Sequence, residues 1–135
     1  MTATRRALPL GLALVALSCV FGQSVVTYDP AHSPRGVTAT MRTSSGRHLT
    51  GELIEVRDAA LVVGNGTTIV LVPYAVIRSA AFAQTSLFLD KGRAPDVSTR
   101  GKLRLLSRFP QGLSPALLQQ LLDAHGQSEL ATVAP

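Results

Sequence analysis

"RHLTGELIEVRDAALVVGNGTTIVLV", residues 47–72, decides the fold. Its first ten residues, Arg47 to Val56, keep an alternating apolar phase at Leu49 and Leu53, with Gly51 between, then shift it to Ile54 and Val56. Alternation marks a strand with one dry face. A slip of phase inside one strand marks a bend or bulge, which lets that strand serve two walls of a barrel. Asp58 signals the next turn. "ALVVG" and "TTIVLV" then flank Asn65-Gly66, a hairpin pair because both residues tolerate positive φ.

Outward from this stretch the pattern continues in both directions. "VTATMRT" sets Val37, Ala39 and Met41 against Thr38, Thr40 and Arg42, and "SSG" at 44–46 turns it back. On the other side Pro73 closes a strand, "YAV" makes a short turn, and "IRSAAF" returns as a fifth strand. Five strands within residues 37–82, joined by tight turns, predict a mainly β fold. The expected form is a small five-stranded antiparallel barrel, closed or nearly closed.

The stretch "GRHLTGELIEVRDAALVV", Gly46 to Val63, resembles the first motif of the Sm-like proteins, a family of SH3-like small barrels. Gly46, Leu49, Gly51, Leu53 and Val56 fall where that motif puts its glycines and apolar residues. The resemblance implies the fold rather than the family's RNA binding. The family's base-reading loop has an acidic residue and an asparagine just beyond the second strand, where this chain has Arg57 and Leu61. Sliding by one residue brings Asp58 into register but supplies no asparagine. Single-stranded RNA sites also need stacking platforms, and only Tyr74 lies nearby, so a nucleic-acid partner is not expected.

Beyond the barrel, residues 83–97 read as a loop with an apolar patch at Leu87–Leu89. Residues 98–126 read as a pair of helices. Ser98 is the expected cap of the first, with Leu103, Leu106 and Phe109 turned inward. The second is sharply punctuated: Ser114 is the N-cap, Pro115 the first helical residue, and Gly126 lies just past the end. Leu117, Leu118, Leu121 and Leu122 make its apolar stripe. "LVV" and "IVLV" are apolar on both strand faces, so something must cover the outside of the sheet, and the leucine helix is the expected cover. Residues 127–135 read as a disordered tail.

The N-terminus has the form of a secretory signal. Arg5 and Arg6 supply the charge of the n-region, and "ALPLGLALVALS", residues 7–18, is an apolar run of h-region length. A membrane-spanning helix needs about 20 apolar residues, and this run is shorter and interrupted by Pro9 and Gly11. Two cuts compete within the segment 1–22. Cleavage after Gly22 releases a soluble chain beginning at Gln23. Cleavage before Cys19 follows "VALSC", which resembles a relaxed bacterial lipobox; the resemblance implies a lipid on Cys19 and a membrane as partner. Residues 23–36, with Pro30, Pro34 and Gly36, read as a tether.

Composition narrows the function classes. Hydrophobic residues make up 46% but aromatics only 4%, so the core must be aliphatic. Once Arg5 and Arg6 are gone, eleven basic residues face eight acidic ones with no dense basic run, which predicts an ordinary solvated cationic surface. One cysteine rules out an intramolecular disulfide framework. His32, His48 and His125 lack the close pairing of zinc ligands, and Glu52 and Glu55 are expected on opposite faces of one strand, unable to converge as an acid–base pair. The expectations are therefore no catalytic set, no metal site, no cofactor and an unknown ligand. The chain reads as an exported, non-catalytic lipoprotein module, periplasmic or outer-membrane-associated, which binds or assembles with an unknown envelope protein. Two other readings stand beside it: a cytosolic Sm-like RNA binder, and a homo-oligomeric scaffold joined by barrel edges.

Overall fold

The computed structural model describes residues 35–135. The leader with Arg5, Arg6 and Cys19, and the tether up to Pro34 with His32, lie outside the described residues. The phase slip read from the sequence is a β-bulge. β2 (His48–Val56) pairs with β3 (Ala60–Gly64) so that Leu53 faces Val63 and Glu55 faces Val62, which leaves Ile54 as the extra residue. Leu53 and Val56 therefore both enter the main core, while Ile54 turns to the opposite face. Gly51, just before the bulge, lies hard against the end of β3. A Cβ there would run into the carbonyl of Gly64.

Around β2 the sheet is built from near neighbours. β1 (Thr38–Thr43) pairs antiparallel with both β2 and β5 (Ile77–Phe82), and β3 pairs with β4 (Ile69–Pro73). A single 3-10 turn, Tyr74–Val76, carries the chain from β4 to β5. The hairpin at Asn65-Gly66 forms, but by different chemistry from that expected. Only Gly66 takes positive φ, whereas Asn65 works through its side chain, its Oδ1 accepting from the amides of Thr67 and Thr68.

The fold is mainly β with two C-terminal helices, as expected, but the expected five-stranded antiparallel barrel, closed or nearly closed, is corrected to an open mixed sheet of seven strands, in the order β6-β5-β1-β2-β3-β4-β7. β6 (Phe88–Asp90) lies inside the stretch read as loop and pairs with β5. β7 (Ala131–Thr132) lies inside the stretch read as a disordered tail and pairs parallel with β4. The sheet is nonetheless rolled round one core. Leu89 from β6, Val70 and Val72 from β4, and Val133 beyond β7 belong to the same buried cluster as Met41, Leu53 and Phe82.

α1 (Val97–Leu106) buries Leu103 completely in that core. Its cap is Asp96, not Ser98: the Asp96 carboxylate accepts from the Thr99 amide at 2.7 Å, and this bond holds its pKa below the ordinary carboxylate value. A carboxylate just before the helix also complements the positive helix end, which Ser98, already inside the first turn, does not. α2 (Pro115–Ala124) starts as read, with the Ser114 hydroxyl accepting from the Leu117 amide at 3.1 Å. Its stripe does cover the outside of the sheet, though unevenly. Leu121 joins Phe109, Leu113 and Leu130 over Ile54, Val62, Ile69 and Leu71, and Leu122 is buried, while Leu117 and Leu118 stay half-exposed. Among the described residues no helix is long and apolar enough to cross a membrane.

Candidate functional site

Besides a concavity beside β6 and the start of α1, with Asp90, Arg93 and Asp96, two concave regions among the described residues hold polar side chains that could do chemistry. The larger, an open cleft of about 440 Å³, is lined by Glu55 to Asp58 at the end of β2, by Arg104 of α1, and by Pro110 to Gly112. The bulge creates it. Because Leu53 and Val56 both point inward, Glu52 and Glu55 share the outer face, which corrects the expectation of opposite faces. They still do not act together. Glu55 is buried, its Oε1 accepting from Arg57 Nε at 2.6 Å and its Oε2 from the Leu113 amide at 2.7 Å. Glu52 accepts from the Gly36 amide at 2.6 Å and lies 3.7 Å from Arg108 Nε.

These carboxylates work as pins. The bulge leaves the carbonyls of Leu53 and Ile54 to be satisfied outside the ladder, and the amides of Arg108 and Phe109 donate to them at 3.0 Å each. Glu52 and Glu55 then hold the chain on either side of that contact. Asp58, at the rim, accepts from Arg104 at 3.0 Å and from Arg100 at 3.3 Å, but its side chain is 84% exposed, so the fork adds little stability. Tyr74 backs the cleft. Its buried hydroxyl donates to the Arg57 carbonyl at 2.7 Å, and burial pushes its pKa up to about 12, against the opposing pull of Arg100 and Arg104. Each charged group of this cleft is matched by another.

The second region is different. A groove of about 300 Å³ is lined by Ser44, Ala75, Ile77, Arg78, Lys91 and Gly92. The β1–β2 turn, the start of β5 and the end of β6 meet here. Arg42 and His48, in register on the outer sheet face, approach at 3.0 Å, and Arg47 flanks them. Arg78 of β5 and Lys91, just past β6, thus share one groove, with Asp90 the nearby carboxylate, facing Ser79 across the ladder, while Arg42 leans toward His48 on the β2 side of β1. The sequence showed this charge as dispersed, and only the strand register brings it together.

Of the histidines, His48 belongs to this end and His125 to the C-terminus of α2, where its Nδ1 lies 2.9 Å from the Leu121 carbonyl. Among the described residues no group of three or more His, Cys, Asp or Glu is placed to hold a metal. No family model, curated protein or solved structure matches the chain.

Proposed function

We propose that the chain is an exported, non-catalytic binding or assembly module of a bacterial envelope, tethered to a membrane through a lipid on Cys19. The leader pattern of residues 1–22 carries the export and the lipid in this reading, and the occupation of both sheet edges by the chain itself carries the single module. β6 lies along β5 and β7 along β4, so neither core strand presents an open ladder to another copy. This arrangement favours a single module over a ring or scaffold joined edge to edge. It leaves the outer face of β5, β1 and β2, with Thr38, Thr40, Thr50, Ser79 and Ala81 exposed, as a polar surface running to the cationic end.

Two further features support it. The buried carboxylate of the 440 Å³ cleft, Glu55, is committed to structural bonds, which speaks for recognition over catalysis. The leader supplies the export pattern, and a tether of residues 23–36 spans at most about 50 Å when extended, enough reach for a small domain to work beside its membrane. The succession β1 to β5, with a bulged and shared β2, supports kinship with SH3-like and Sm-like barrels, the extra edge strands standing where such a barrel would close. Fractionation of the native host tests the reading. Recovery in the envelope fraction, protected from protease until the envelope is permeabilised, is expected; a full-length chain in the cytosolic fraction would overturn it.

A further inference from the structure

We propose that the groove between Arg78 and Lys91 is a phosphate-binding site. Two independent departures from regular backbone converge there. Along the β1–β5 ladder Arg42 faces Ser79 and Thr43 faces Ile77, so Arg78 is an unpaired bulge residue. Bulges of this kind re-aim a side chain. Across the groove Lys91 has φ 56°, the left-handed region that a non-glycine residue takes only at a cost in strain. Gly92 follows at φ 67°, where a Cβ would meet the Ala75 carbonyl oxygen at 2.9 Å.

The backbone holds both departures in place. The Lys91 amide donates to the Arg78 carbonyl at 3.0 Å and the Gly92 amide to the Ile77 carbonyl at 2.8 Å. Arg78 and Lys91, unlike the arginines of the larger cleft, make no ion pair among the described residues. Arg78, Lys91 and Ser44 thus bring a planar guanidinium fork, a compact ammonium and a hydroxyl to the lining of one groove. This is the donor set that a tetrahedral oxyanion takes up: bidentate bonds from arginine, a point charge from lysine, and a neutral donor.

An anionic lipid headgroup and a soluble phosphate ester both carry such a phosphate; the chemistry is shared. The site deepens the envelope-binding reading, and its biological setting rests on that reading. To test it, ¹⁵N-labelled full-length chain is titrated with inorganic phosphate at low ionic strength, and its partitioning to phosphatidylglycerol vesicles is compared with that to phosphatidylcholine vesicles. Saturable shifts at Ser44, Arg78, Lys91 and Gly92 are expected, absent from the Arg78→Gln/Lys91→Gln variant and intact in Lys102→Gln. The remainder of the spectrum should superimpose, showing that the variant folds. If a headgroup carries the phosphate, the preference for phosphatidylglycerol falls about fivefold for each cation removed. If a soluble ester does, the shifts appear without any vesicle preference. No saturable shift in the groove, or equal shifts in the double variant, would overturn the site even for a chain proven to lie in the envelope. Phosphate shifts in a chain found in the cytosol would keep the site and remove its setting.

Discussion

Gln127 meets Ile69 as a neighbouring strand would: its side-chain oxygen accepts from the Ile69 amide at 2.6 Å and its side-chain nitrogen donates to the Ile69 carbonyl at 2.9 Å. One amide side chain thus extends the cover of the β4 edge that β7 begins, and buried Val133 fixes the far end. The Gln127→Ala variant should lose about 1–2 kcal/mol of unfolding free energy. Hydrogen exchange at the Ile69 amide should accelerate more than exchange within β1. Deletion of residues 127–135 should open the edge altogether, giving a higher solution mass by light scattering than the intact chain. Unchanged exchange at Ile69 would mean that Gln127 does not guard the edge.

Glu55 ties the cleft to the sheet. In the Glu55→Ala variant the Leu113 amide and the Arg57 guanidinium lose their acceptor, at an expected cost of about 2–3 kcal/mol in urea unfolding. The Glu55→Gln variant keeps an acceptor for Leu113 and should lose less. A neutral Glu55→Ala change would show that water replaces both bonds, and that the pin is weak.

Tyr74 makes stability depend on pH at the alkaline end. Its pKa is raised from 10.0 to about 12 chiefly by burial, so its contribution is whole below pH 10 and is lost as pH rises through about 12. The Tyr74→Phe variant should be about 1 kcal/mol less stable at neutral pH for want of the bond to the Arg57 carbonyl. That deficit should shrink between pH 10 and 12. A constant difference across this range, read from thermal unfolding, would contradict a buried, protonated phenol.

Gly51 is required for space. Replacing it with alanine puts a Cβ against the Gly64 carbonyl, and the strands must part to admit it, at a cost of about 1–3 kcal/mol. The same change at Gly101, whose Cβ would meet nothing within 4 Å, should be neutral or stabilising because α1 gains a better helix former. Equal effects at the two sites would remove the steric explanation.

What could be read from the sequence follows the range of the interactions involved. The bulge in β2 and the ends of α2 are written in local pattern: a slipped apolar phase, a serine before a proline, a glycine after the last turn. β6 and β7 are not. β6 has one buried residue, Leu89, and β7 has none, so neither carries a period. They are strands because β5 and β4 have open ladders for them. Ser98 looks like a cap because serine caps helices generally, but a charged Asp96 two residues earlier binds the first turn more strongly. The cationic groove is hidden for the same reason as the edge strands. Arg78 and Lys91 meet only once β5 and β6 are in register.

The most direct measurement of the envelope reading is the intact mass and N-terminal peptide of the protein from the membrane and soluble fractions of its native host. A membrane-bound chain beginning at a diacylated Cys19 is the expected result. A chain that still carries Arg5 and Arg6 would contradict cleaved export and lipid anchoring together, and in the soluble fraction it would make this a cytosolic protein.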